Sequence, residues 1–301
     1  MASEKSHQGL MQLIKMAHGF IENTDLEKHR HSQDQMGPLL APSKDMLISD
    51  VDIDGMHGEW VCVNRAHMKK YVILYCHGGG YSTRSSLYAR TLTTKLAAST
   101  SMDVLSFDYR LAPEHPYPAA LEDALKAWNH LMQYGYGARD VLVAGDSAGG
   151  NLALALTLKL KEQARLLPKG LLLMSPWTDL AGSGKSYLSK RDADPVLNAG
   201  YLDAMKENYL GAQNTQETWA DPFVSPLYGD FEDFPPTYIQ VGDQEILRSD
   251  SVLLYKKMNK AGVNVKIDIY KGMWHVFQMS PLKTAYDAME KNAEFIFSLC
   301  R

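Results

Sequence analysis

Residues 140–152 read Asp140-Val141-Leu142-Val143-Ala144-Gly145-Asp146-Ser147-Ala148-Gly149-Gly150-Asn151-Leu152, and an apolar helical pattern continues to Leu160. A short apolar run, a Gly-x-Ser-x-Gly turn and a helix follow one another without a break. That order predicts a serine at the apex of a tight strand-to-helix turn, a nucleophile elbow. Gly145 and Gly149 are a steric requirement, because a Cβ at either position would collide with the bent backbone. The turn lifts the Ser147 hydroxyl above a sheet, where a substrate carbonyl can reach it. The pattern alone arises by chance in many chains, so its meaning rests on its surroundings.

Outward from the elbow, the chain alternates two kinds of segment. Tyr71–Cys76 and Gly170–Met174 are continuous apolar runs, Val104–Phe107 and Tyr238–Val241 are shorter ones, and Val263–Tyr270 alternates. Between them lie helical patterns at Leu87–Ala98, Ala119–Met132, Leu152–Leu166, Ser249–Ala261 and Leu282–Leu299. Strand and helix alternating, with buried strands, predicts an α/β protein whose mostly parallel sheet carries helices on both faces. Upstream, Met46–Asp54 and His57–Val63 alternate around the turn signal Asp54-Gly55 and predict a hairpin. Leu10, Leu13, Ile14, Ala17, Phe20 and Ile21 recur at helical spacing, whereas residues 22–45 are polar and read as irregular or weakly helical.

The stretch from Thr178 to Pro236 interrupts the alternation and is too long for a structureless loop in a compact domain. Asp194-Pro195-Val196-Leu197 looks like a helix start, and Ala199–Leu210 carries a helical pattern ended by Gly211. This insertion and the N-terminal helix are expected to form a helical cap over the carboxyl edge of the sheet. The chain then divides into an N-terminal cap segment (1–45), a first core part (46–177), inserted cap helices (178–220) and a second core part (221–301).

The composition suits a soluble globular protein with a large core: 301 residues, 45% hydrophobic and 22% charged. A net charge of -4, with no dense Lys/Arg block, argues against nucleic acid or an anionic membrane as partner. Cys62, Cys76 and Cys300 show no C-x-x-C spacing, so neither a disulfide framework nor a zinc site is indicated. No stretch has the roughly 18 apolar residues of a membrane span, and a cytoplasmic protein is expected. His29 and His31, in a polar stretch, read as surface histidines rather than metal ligands.

A serine hydroxyl is a poor nucleophile at neutral pH and needs a base, which in turn needs an orienting acid. His275, in Gly272-Met273-Trp274-His275-Val276-Phe277 after the last strand, stands where this fold places its base. The acid has two candidates in Gly242-Asp243-Gln244-Glu245: Glu245 is preferred, while Asp243 suits a cap or a loop hydrogen bond. His77-Gly78-Gly79-Gly80, directly after a buried strand, supplies backbone amides that can approach a ligand. The expected oxyanion hole is therefore the N–H groups of Gly78, Gly79 and Ala148. Losing one such donor typically costs on the order of 10²–10³ in turnover. His77 itself is expected to hold the loop.

His77-Gly78-Gly79-Gly80, Asp108-Tyr109-Arg110-Leu111-Ala112-Pro113-Glu114, Gly145-Asp146-Ser147-Ala148-Gly149-Gly150 and Ser175-Pro176-Trp177 occur in this order. Together they resemble the hormone-sensitive lipase family of α/β-hydrolases, in its bacterial carboxylesterase and acetyl-esterase branch. The resemblance runs from about Tyr71 to Phe277. It implies an eight-stranded sheet, a helical cap, short-chain acyl ester substrates and no cofactor. The family's acid commonly precedes a Leu by two residues, as Glu245 does Leu247, although many members carry Asp there. By the same comparison Asp108, Tyr109, Arg110 and Glu114 lock a loop, with Arg110 beside two carboxylates in an ion-pair cluster. Asp146 is expected to hydrogen-bond the loop around His77. Tyr81, Trp177 and Phe223 are candidates for lining the pocket.

The reading that follows is a serine carboxylesterase acting on acetyl to hexanoyl esters through an acyl-serine intermediate. A lactonase or amidase could use the same triad, and a non-catalytic receptor would bind a small ligand under the cap. A receptor would lack the base, which this chain keeps. The partner expected is a small-molecule ester, and the final strand (Val263–Tyr270), at a sheet edge, could pair across a homodimer axis.

Overall fold

The computed structural model describes residues 9, 11, 12, 15, 16, 25–41 and 45–300. Most of the expected helix over Leu10–Ile21 lies outside the described residues; Met11, Gln12, Lys15 and Met16, which are described, are helical. The first complete helix is α1 (Leu26–Leu40), in a stretch whose polarity gave only a weak signal. Asp25 starts it by accepting the Glu27 N–H at 2.9 Å. Arg30 then ties it to the core, donating to the Ser82 and Ala112 carbonyls and forking onto Glu114. His29 is buried, 6% exposed, which corrects the surface reading. The polar face of α1 is turned inward, so polarity mimicked exposure.

The hairpin is β1 (Met46–Ile53) and β2 (Met56–Val63), antiparallel as expected. The remaining strands are β3 (Val72–Cys76), β4 (Asp103–Phe107), β5 (Val141–Asp146), β6 (Gly170–Met174), β7 (Thr237–Gly242) and β8 (Val265–Tyr270). They form one eight-stranded sheet in the order β1-β2-β4-β3-β5-β6-β7-β8. Every pairing from β4 to β8 is parallel. Every residue of β3, β5, β6 and β7 is buried, as a sheet covered on both faces requires. β8, at the edge, is half-exposed.

The covering helices are α2 (Ser86–Thr100), α3 (Ala119–Tyr134), α4 (Ala148–Glu162), α6 (Arg248–Lys260) and α7 (Lys283–Leu299). Between β6 and β7, the insertion holds α5 (Ala199–Leu210), capped by the Asn198 side chain on Tyr201 N–H. α5 reaches the core closely enough that a Cβ on Gly80 would meet Met205 at 2.6 Å. Its Tyr201 ring lies 6.4 Å from that of His29 on α1. Among the described residues no helix is long and apolar enough to cross a membrane.

Candidate active site

Ser147 stands between β5 and α4 with φ 55 and ψ −122, a backbone state that side chains rarely adopt. Two contacts hold it there: its N–H donates to the Met174 carbonyl at 2.9 Å, and its own carbonyl accepts the Trp177 N–H at 3.0 Å. The flanking glycines are forced, as the sequence suggested. A Cβ on Gly149 would stand 2.0 Å from the Cys76 carbonyl oxygen, and one on Gly145 would stand 2.3 Å from the Gly149 oxygen.

The Ser147 Oγ lies 2.9 Å from His275 Nε2, and His275 Nδ1 lies 3.1 Å from Glu245 Oε2. All three residues are buried, coming from the β5, β7 and β8 ends of the sheet. The other carboxylate oxygen of Glu245, Oε1, accepts the Ser175 hydroxyl at 2.7 Å and the Gly242 N–H at 2.6 Å. Ser175 Oγ in turn accepts the Val276 N–H at 3.1 Å, so one hydroxyl braces both the acid and the histidine loop. Lys95 fixes the far side of that loop by donating to the Gln278 and Ser280 carbonyls. Asp243 points elsewhere: its Oδ1 accepts the Gly272 N–H at 2.6 Å. The structure therefore brings together Ser147, His275 and Glu245, and makes Asp243 a loop brace.

Burial pushes the His275 imidazole down from 6.5 to about 4; Asp194 opposes this, Arg84 adds to it and Asp146 opposes it. The ring is thus neutral near pH 7 and able to accept a proton. Burial pushes Glu245 up, while the Ser175 hydroxyl and the Gly242 amide favour its charged form.

The oxyanion loop corrects one expectation. The Gly78 N–H donates to Asp146 Oδ1 at 2.9 Å, so it is already engaged by a carboxylate. Asp146 Oδ1 also accepts the Tyr75 hydroxyl, and Asp146 Oδ2 faces Arg84 at 3.3 Å. The elbow's own aspartate thus anchors the loop, as expected, but it does so by taking the first of the loop's amides. Among the described residues no hydrogen bond engages the N–H of Gly79, Gly80 or Ala148. His77 stacks on Tyr109 at 4.1 Å and lies 2.8 Å from the Gly78 carbonyl, a loop-holding arrangement. Arg110 pairs with Glu122 and Asp123 of α3, not with Asp108 and Glu114, because helix α3 folds back beside it. Asp108 bonds Ser86 and His57, and Glu114 bonds Arg30.

A cavity of about 250 Å³ opens beside Trp177, between the segment running to Leu188 and the α5 residues Ala199, Leu202, Asp203 and Lys206. Tyr81 is buried against Tyr209, ring on ring at 3.8 Å. Phe223 lies under the Lys159 ammonium.

Comparison with known proteins gives the family of the chain. A family model described as the alpha/beta hydrolase fold matches residues 73–279. An esterase of Acinetobacter venetianus is 38% identical over 268 residues, 88% of this chain and 87% of its own. An acetyl-hydrolase of Streptomyces hygroscopicus is 34% identical across 85% of this chain and 83% of its own. Among solved structures, a hormone-sensitive lipase from a metagenome library aligns with a TM-score of 0.91 at 32% identity, covering 98% of both chains. An esterase from the bacterial hormone-sensitive lipase family gives 0.90 at 30% identity, again over 98% of both. The chain belongs to the hormone-sensitive lipase family of α/β hydrolases and is a carboxylic ester hydrolase.

Proposed function

We propose that this hydrolase cleaves short-chain esters through an acyl-serine intermediate. The observation that carries the proposal is the unbroken hydrogen-bond chain from Ser147 Oγ through both ring nitrogens of His275 to Glu245. In the first step Ser147 Oγ attacks the ester carbonyl carbon, and its proton passes to His275 Nε2. The carbonyl oxygen becomes an oxyanion, received by the free amides of Gly79, Gly80 and Ala148. As the intermediate collapses, the ester C–O bond breaks and His275 returns the proton to the departing alcohol. Water then gives a proton to His275 and attacks the acyl carbon, and the same amides hold the second oxyanion. Loss of Ser147 Oγ, reprotonated by His275, releases the acid.

The relatives support the substrate class: one that is 34% identical over 85% of this chain is named an acetyl-hydrolase. Nitrophenyl esters from acetyl to hexanoyl are expected to be cleaved faster than longer ones. Measuring kcat/KM across the series checks this, and a maximum at dodecanoyl or beyond would contradict it.

The depressed basicity of His275 carries a pH expectation. A base is active while neutral, so lowering its pKa extends activity toward acid. The acid limb of kcat/KM, which reports the free enzyme, is expected below the ordinary histidine value of 6.5, in the direction of about 4. A limb at or above 6.5 would mean that the imidazole is solvated in the working enzyme.

A further inference from the structure

Asp194 belongs to the inserted segment, shortly before the Asn198 cap of α5. It carries no motif and is not one of the three residues in the proton path. Its side chain is nevertheless 4% exposed and held at both oxygens. Oδ2 accepts the N–H of Ile246, the residue following Glu245, at 2.9 Å. Oδ1 accepts the N–H groups of Val196 and Leu197 at 2.9 and 3.2 Å. The ionisable groups acting on it are His275 and Glu245. Those acting on His275 are Asp194, Arg84 and Asp146, besides the bonded Glu245.

We propose that Asp194 is a positioning residue for the His275–Glu245 pair: it holds the acid loop through Ile246 and keeps a second negative charge near the imidazole. This rests on the triad reading above. When Ser147 gives up its proton, an imidazolium forms on a ring that is buried in the protein. Arg84 opposes that charge, Glu245 is its bonded counter-ion, and Asp194 favours it as Glu245 does. A carboxylate removed from water is costly unless it is hydrogen-bonded, and here backbone amides supply the donors. Burial pushes Asp194 up from its ordinary value, while the amides of Ile246 and Val196 favour its charged form. The insertion thereby acts on the proton path as well as enclosing the substrate.

The test is the pH profile of kcat/KM on p-nitrophenyl acetate for the wild type, Asp194→Asn and Asp194→Glu. Fluorophosphonate labelling of Ser147 is measured in each protein. Asp194→Asn keeps the shape but removes the charge and turns an amide toward Ile246 N–H. Its kcat is expected to fall about 10- to 100-fold with KM little changed, and its acid limb to move down by about one pH unit. Asp194→Glu keeps the charge but displaces the acid loop, so kcat falls while the limb stays. An Asp194→Asn limb superimposed on that of the wild type, or a limb moved equally by both variants, reduces Asp194 to a turn cap. Should Asp194→Asn not fold, wild-type kcat in Asp194→Glu overturns the proposal, and a low kcat on an unmoved limb upholds it. Failure to label Ser147 in the wild type overturns the triad reading itself, whereas labelling with unchanged profiles sinks only the role of Asp194.

Discussion

His275→Ala is expected to lower kcat on short esters on the order of 10⁴–10⁶-fold, with KM changed little. Without the imidazole, nothing accepts the Ser147 proton, and a serine hydroxyl at neutral pH is almost entirely protonated. Substrate binding survives, as do the free amides of Gly79, Gly80 and Ala148, so residual turnover above background is expected. The fold should persist, because the surrounding loop has its own anchors. Val276 N–H rests on Ser175, and Lys95 grips the Gln278 and Ser280 carbonyls. The loss of stability should be about 1–3 kcal/mol, the usual penalty for leaving a buried polar partner unpaired, here Glu245. Steady-state kinetics beside a thermal melt check both halves. Activity within tenfold of the wild type would remove His275 from the proton path.

Glu245→Gln is expected to cost about 10⁴ in kcat, and the reason is a tautomer. Ser175 and Gly242 both donate to Oε1, so a glutamine at 245 must keep its carbonyl oxygen there. Its NH₂ group then faces His275 Nδ1, which can meet it only with a lone pair. The ring proton moves to Nε2, the nitrogen that lies 2.9 Å from Ser147 and must receive its proton. A base already carrying that proton cannot act. Asp243→Asn should fall less than about tenfold, since an amide oxygen can still accept from Gly272 N–H as Asp243 does now. Comparing kcat/KM for the two variants decides the matter, and the opposite ranking would put the acid at 243.

What the sequence made legible was local. The elbow is written in consecutive residues; Gly145 is fixed by a clash within the turn, and Gly149 by the Cys76 carbonyl of the neighbouring strand β3. The buried strands announce themselves as apolar runs, so the sheet could be read before it was seen. Glu245 and Asp243 could not be separated by local pattern, because they share one turn. Glu245 turns inward because Ser175, from another strand end, meets it there. The Gly78 expectation failed for a similar reason: glycine tells where an amide can approach, and the carboxylate of Asp146 decides which amide is taken first. Arg110 was assigned to its sequence neighbours, yet α3 brought Glu122 and Asp123 nearer. Asp194 was visible only as a helix-start signal, since its second partner, Ile246, lies beyond the next strand.

At Ser147 the backbone sits at φ 55 and ψ −122, a state that costs a residue with a Cβ about 1–3 kcal/mol. Glycine adopts such angles freely. Directed evolution scored only on heat resistance would therefore reward glycine at this position and return a sturdier, inert protein. A library built to harden this hydrolase has to be screened for turnover at every round.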